Sequence, residues 1–310
     1  MKFLISIVGP TGVGKTSLSL FLAKKYQTEI ISSDSRQMYR HMDIGTAKPN
    51  RKVLEAIPHH FIDSLDPDEP YSAGRFEVDA ENLLKRLFEK HDVVIVVGGS
   101  TLYISALWHG MDDMPKIPEE VRSGLNAELE EKGLEALVQE LAEVDPETHR
   151  YVDKKNPARV KRALEVFRAT GKPISDFRKG KKKKETYYRH IKVGLRLDRP
   201  NLYKRINYRA EQMARKGLAD EVRKLLKMGY GPELNSMQSI GYQEMIPFIE
   251  GKTNFFSAVK LMQRNSRRYA KRQFNWYRRF PDIKWFEASK DREEEIADWV
   301  AQAMAQAEQE

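Results

Sequence analysis

Residues 9–16 read Gly9-Pro10-Thr11-Gly12-Val13-Gly14-Lys15-Thr16, a complete G-x-x-x-x-G-K-T. Phe3–Val8, a short apolar run, precedes it, and Lys15–Tyr26 follows with Leu18, Phe21 and Leu22 at helical spacing. Such a loop works only where a strand turns directly into a helix. Its glycines let backbone N–H groups face inward around phosphate oxygens, and the helix N-terminus adds partial positive charge. Lys15 can then reach the outer phosphate and Thr16 can ligate Mg²⁺. The opening of the chain is therefore read as strand, phosphate loop, helix.

The same alternation continues. Glu29–Ser33 reads as a second strand and Ser72–Lys90 as a helix. Val93–Val97 is an unbroken β-branched run, the signature of a parallel strand covered on both faces. These segments predict a doubly wound, parallel-sheet α/β core that contains the P-loop. The character changes after Asp112. Residues 111–118 read as a linker, and Glu119–Ala169 is helical in pattern, with turns at Gly133, Asp145-Pro146 and Asn156-Pro157. Lys179–Lys184 reads as a flexible loop, and Ile191–Leu197 alternates like a strand returning to the core. The expected organisation is a core of 1–112 and 190–310, with a mainly helical insertion at 113–189. Leu202–Met228 and Ser257–Arg279 are read as helices, Ile283–Phe286 as a short strand, and the acidic end as a final helix.

Composition narrows the chemistry. The chain has 310 residues, no cysteine and a net charge of +9. Lacking cysteine, it has no disulfides, thiol nucleophiles or Cys-zinc and iron–sulfur sites. No apolar run approaches the ~20 residues of a membrane helix, and the N-terminus lacks a signal-peptide cleavage site, so a soluble, cytoplasmic protein with no membrane partner is expected; separately, a monomer is expected. The charge is concentrated: residues 178–205 carry +10 and residues 260–284 carry +8. Clusters of that kind suit a polyanion such as nucleic acid, although a solvated helix face and a lysine loop would look alike.

Three further segments carry candidate chemistry. Ser32–Arg40 follows the second strand and so places Asp34 on the rim where ligands of open α/β sheets bind. A carboxylate there can take a proton or bind metal, or simply stabilise a turn. After Val93–Val97 comes Gly98-Gly99-Ser100-Thr101-Leu102-Tyr103 rather than the Mg²⁺-binding Asp of many nucleotide hydrolases. Its glycines permit a ligand close to the backbone, and the Ser100 and Thr101 hydroxyls can contact it; a plain strand-ending turn is the other reading. Asp43–Pro49 has no periodicity and suggests a ligand-facing loop, whereas His59 and His60 lack metal-ligand spacing and are taken as structural. Arg264, Arg268, Arg272 and Arg279 fall near one helical face, a candidate phosphate-contacting stripe, with Tyr269, Trp276 and Tyr277 taken as core.

Taken in order, GPTGVGKT, SSDSRQMYR, MDIGTAKP, HHFID, VGGSTLY, ARVKRALEVF, GLADEV, SIGYQE and YAKRQFNWYR resemble the tRNA dimethylallyltransferase family over residues 9 to about 279. The resemblance implies transfer of a dimethylallyl group from dimethylallyl diphosphate to N6 of the adenosine 3′ of the anticodon, position 37, in tRNAs reading codons that start with U. It implies that Gly9–Thr16 cradle a diphosphate leaving group, with Mg²⁺ on Thr16 as cofactor, and that Asp34 is the general base. Lys15 and an arginine, Arg209 first and Arg205 second, would neutralise the departing charge. Asp34, Ser35, Arg36, Gln37, Ser100 and Thr101 would meet the flipped adenosine. The family usually has Thr where this chain has Ser100. Arg159, Lys161 and Arg162 match the tRNA-contacting insertion, and Arg264, Arg268 and Arg272 would add grip on the anticodon stem-loop. Some relatives carry a Cys/His zinc finger, which a chain without cysteine lacks.

Two other functions share the first motif. A P-loop nucleoside or nucleotide kinase could also use Asp34 as base, but it leaves the basic clusters without a role. A non-catalytic RNA-binding module leaves Asp34 and the Gly98–Tyr103 rim without one.

Overall fold

A computed structural model describes residues 1–178 and 186–309, so the lysine loop expected at 179–184 lies outside the described residues. Phe3–Val8 forms β1, buried at every position, and the loop of residues 9–14 leads into α1, Lys15–Lys25. β2 is Ile30–Ser32, α2 is Arg51–Ala56 and β3 is His59–His60. α3, Ala73–Lys90, starts where the Ser72 hydroxyl accepts the Arg75 N–H. β4 is Val93–Val97 and α4 is Thr101–His109. α5, Glu119–Val144, is broken by Gly133 at φ 77°, and α6, Pro146–Tyr151, starts on an Asp145 cap. α7, Pro157–Thr170, runs from an Asn156 cap to Gly171 at φ 70°, and the short α8, Ile174–Phe177, follows.

The remaining elements are β5 Arg189–Arg196, α9 Arg199–Arg215, α10 Leu218–Lys227, α11 Tyr242–Ile249, α12 Phe255–Tyr277, β6 Lys284–Glu287 and α13 Glu293–Gln309. The single helix expected over Leu202–Met228 is two. Gly217 sits at φ 96°, in the left-handed region that ends α9 and starts α10.

The six strands among the described residues form one sheet in the order β3-β2-β4-β1-β5-β6, every pairing parallel. Alternation along the strands divides the apolar residues between two layers. Leu4, Val8, Ile31, Val94 and Val96 pack against α3, α4 and α9–α12. Phe3, Ile5, Ile7, Ile30 and Ile95 pack against α1 and α13. β4 thus has both faces covered, as its β-branched run requires. Ser32 and Ile7 both pair with Val97, so β1, β2 and β4 end level with one another.

Two compact units divide the chain, one of Met1–Trp108 with Glu185–Glu310 and the other of His109–Lys184. The second has its own core of Leu125, Leu137, Leu141, Val160, Leu164 and Ile174. Asp145 stitches that unit together, accepting from Thr148 N at 2.9 Å and from the Ser175 hydroxyl at 3.0 Å. No helix among the described residues is long and apolar enough to cross a membrane.

Candidate active site

The loop after β1 takes the conformation its glycines allow. Gly9, Gly12 and Gly14 all have positive φ, and at Gly9 a Cβ would stand 2.4 Å from the Leu195 carbonyl oxygen, so only glycine fits. Gly14 begins α1 without a side-chain cap, which leaves the first-turn N–H groups facing the loop. Lys15 folds back across it, its ammonium donating to the carbonyls of Gly9 and Pro10 at 2.9 Å each. Burial, then the neighbouring Arg209, pull the Lys15 pKa down to about 7 against the opposing pull of Asp34. Burial also lowers Arg209, with Asp34 again opposing. The site holds a desolvated lysine and a desolvated arginine beside one carboxylate, an arrangement that favours an anionic ligand, whose charge would draw a proton onto Lys15.

The rim is completed from distant segments. Asp34 Oδ1 accepts the Arg36 N–H at 2.9 Å, which fixes the carboxylate in its turn. The Ser100 hydroxyl accepts Ser35 N–H at 2.8 Å and donates to Ser35 Oγ at 2.9 Å, joining the ends of β2 and β4. From α12, buried Gln273 accepts Thr11 N–H at 2.8 Å and donates to the Gly99 carbonyl at 2.7 Å. That carbonyl also accepts the Tyr269 hydroxyl at 3.1 Å. One glutamine therefore ties the phosphate loop to the end of β4.

Two cavities meet at these residues. The smaller, about 90 Å³, is lined by Lys15, Thr16, Gln37, His59, Gly98 and Gln273, among others. The larger, about 360 Å³, is lined by Ser35, Arg36, Gly45, Thr46, Ser100, Met213, Ile240, Met262, Ser266 and Arg272, among others. Its volume falls in the ~300–1,000 Å³ range of small-molecule sites. Thr11, Asp34, Arg209 and Tyr269 line both. A third cavity, of about 750 Å³ and bordered by Lys48, Arg51 and Lys216, also touches Arg209.

Several expectations change. Gly98 and Gly99 line the smaller cavity and also make room for the protein's own chain: a Cβ at Gly98 would lie 2.2 Å from Ser33 Oγ and 2.5 Å from its carbonyl carbon, and one at Gly99 2.8 Å from Gln273 Nε2. Thr101 opens α4 and lines neither of the two cavities sharing Asp34. Gln37 lines the smaller cavity rather than the larger, and its amide donates to the Thr46 and Ala47 carbonyls at 3.2 and 3.3 Å. Arg36 is pinned to Asn235, donating to its carbonyl at 2.7 Å. Arg205 is exposed and reaches Val13 O at 3.3 Å, lining neither cavity, whereas Arg209 lines both. Tyr269, taken as core, faces the cavities, while Tyr277 is fully buried. His59, taken as structural, lines the smaller cavity.

The basic residues of α12 divide. Arg264, Arg268, Arg272 and Arg279 are exposed, and Arg272 reaches the larger cavity. In the helical unit Arg159 is exposed, Lys161 bonds Asn126, and Arg162 pairs with Glu165 at 3.2 Å. Gln273, Tyr269, Ile240 and the Met213–Met262 wall are site residues that sequence reasoning missed. Their one local signal was Gln273 sharing a buried face with Ala270 and Tyr277.

The fold and these cavities define a mixed α/β protein whose candidate site lies on the carboxyl rim of a parallel sheet. The family model for IPP transferase matches residues 37–280. The tRNA dimethylallyltransferases of Christiangramia forsetii and Cytophaga hutchinsonii are 47% and 45% identical, each over 92% of this chain and over 93% and 92% of their own lengths. The solved tRNA isopentenylpyrophosphate transferase of Bacillus halodurans superposes with a TM-score of 0.73 at 36% identity, over 100% of both chains. A eukaryotic dimethylallyltransferase described as acting on tRNA superposes with a TM-score of 0.78 at 28% identity, over 99% of this chain and 78% of its own. The chain belongs to the IPP transferase family.

Proposed function

We propose that this protein transfers the dimethylallyl group of dimethylallyl diphosphate to N6 of the adenosine 3′ of the anticodon in tRNA. The observation that carries this reading is the position of Asp34 and Arg209 on the walls of both cavities, between the phosphate loop and the larger chamber. The diphosphate lies against the loop of residues 9–16, the first-turn N–H groups of α1 and Lys15, and the adenine, flipped out of the anticodon stack, occupies the larger cavity. The N6 nitrogen attacks C1 of the allyl group, and the C1–O bond breaks with its electron pair leaving on the diphosphate. Asp34 takes the N6 proton, which matters because the amine's lone pair is delocalised into the ring. Arg209 and Lys15 stabilise the charge that builds on the leaving oxygen, where desolvation makes them most effective.

Magnesium fits this site as a companion of the substrate. Among the described residues no group of three or more His, Cys, Asp or Glu could hold a metal alone. The exposed Thr16 hydroxyl lines the smaller cavity, and Mg²⁺ commonly takes its other ligands from substrate phosphates and water. It would supply charge neutralisation to the diphosphate. Arg159, Lys161 and Arg162 of the helical unit, and Arg264, Arg268 and Arg272 of α12, are proposed to hold the RNA backbone.

Incubation with labelled dimethylallyl diphosphate, Mg²⁺ and an anticodon stem-loop tests the reading. Label on the RNA is the expected result. Phosphate transfer from ATP with no prenyl transfer would overturn it in favour of a kinase.

A further inference from the structure

Gly45 and Thr46 form part of the larger cavity's wall, yet they belong to a segment outside every helix and strand. Three consecutive N–H groups of that segment converge on one carboxylate. Glu221 of α10 accepts Asp43 N–H at 3.0 Å and Ile44 N–H at 2.8 Å on Oε2, and Gly45 N–H at 3.2 Å on Oε1. Its Oε1 also accepts the hydroxyl of Tyr242 at 2.6 Å. Tyr242 is fully buried, and its ring fills the space beside Gly45, where a Cβ would lie 2.3 Å from Cε2. Successive inward N–H groups form a concave anion nest. Here the protein supplies the anion itself, from a helix far along the chain.

We propose that Glu221 is a positioning residue that sets the wall of the acceptor cavity, and so the affinity and alignment of the adenosine, without acting on the diphosphate. The inference rests on the transfer reading given above. The separation of the two effects follows from the hydrogen bonds. Glu221 grips residues 43–45, which lead into the larger cavity. The next two residues, Thr46 on the larger cavity's wall and Ala47 on the smaller cavity's, are held by Gln37 through their carbonyls, so the diphosphate side has an anchor that Glu221 does not supply.

Glu221→Gln is a stringent probe. Each carboxylate oxygen accepts two donors, so the new NH₂ group faces two donors whichever way the amide turns. The expected result is a rise of about tenfold or more in the stem-loop KM with a fall in kcat, from misalignment of the wall. The Kd for magnesium diphosphate, measured by calorimetry, should stay within about twofold. Tyr242→Phe keeps the ring on Gly45 and removes one donor, so it should produce the same RNA-only pattern at smaller amplitude. A purely structural role would instead lower the melting temperature and weaken both ligands together. Unchanged stem-loop constants in folded Glu221→Gln, or parallel loss of stem-loop and diphosphate binding, overturns the proposal. If Glu221→Gln does not fold, Tyr242→Phe decides by the same contrast. Stem-loop Kd values for both variants are measured alongside turnover, so a wild-type protein that binds RNA without prenylating it would sink the transfer reading while the Glu221 comparison still stands.

Discussion

Lys15 offers a quantitative test of the phosphate site. With its pKa at about 7, the free protein at pH 8 holds only about a tenth of this lysine protonated. Diphosphate brings negative charge to the ammonium, and with Mg²⁺ in excess it is present at pH 8 as the fully ionised complex, because the bound ion drives off its last proton. Binding should therefore draw about 0.9 proton from the buffer at pH 8. If the bound lysine keeps its charge through pH 9, the affinity should fall about ninefold between pH 8 and pH 9.

The assay is titration of magnesium diphosphate by calorimetry at pH 8 in two buffers of different ionisation enthalpy. The observed enthalpy should rise with the buffer's ionisation enthalpy at a slope of about +0.9. Lys15→Met should bind more weakly and lose the slope. A slope near zero in the wild type would mean that Lys15 is charged before the ligand arrives; a slope surviving in Lys15→Met would assign the proton to another group. Stability carries the same sign. Between about 7 and the ordinary 10.5 the unfolded chain binds the proton more tightly, so Lys15 makes the ligand-free fold more stable as pH rises through that window.

Asp34→Asn should lower kcat by about 10²–10⁴ while diphosphate binding persists; equal loss in single-turnover rate and in diphosphate Kd would make Asp34 an organiser of the site rather than its base. Gly98→Ala should destabilise by about 1–3 kcal/mol in denaturant unfolding, because its Cβ meets backbone atoms of Ser33 that cannot swing aside; a loss confined to ligand affinity would mean that this glycine serves the ligand rather than the packing on Ser33. Replacing Arg264, Arg268 and Arg272 by alanine should weaken stem-loop binding and flatten its dependence on log salt, by up to about one unit for each phosphate no longer neutralised. An unchanged slope would return that face to solvent.

What the sequence revealed of the fold followed local pattern. β1, β4 and β5 were legible because buried parallel strands concentrate apolar residues, and α5–α7 because Gly133, Asp145-Pro146 and Asn156-Pro157 punctuate them. α4 escaped because Tyr103–Trp108 are all buried and a helix covered nearly all round has no polar face to mark its period. α11 escaped because Pro247 inside it reads as a breaker. β3 is a two-residue pairing of histidines, too short to carry any periodicity.

The site divides along the same line. Lys15, Asp34 and Ser100 lie at the ends of β1, β2 and β4, where topology alone places ligands. Gln273 and Glu221 act on backbone groups more than 170 residues distant in sequence, and no local motif encodes such a pairing. A trace was nevertheless present. Ala270, Gln273 and Tyr277 lie on one buried face of α12, so a glutamine stands where an apolar residue would pack. Burying an amide is costly unless its donor and acceptor are both satisfied. Here both are, by Thr11 N–H and the Gly99 carbonyl. Leucine would fill the volume but could not join the phosphate loop to the end of β4. A polar residue inside an apolar helical stripe thus marks where the fold is held for chemistry as well as for packing.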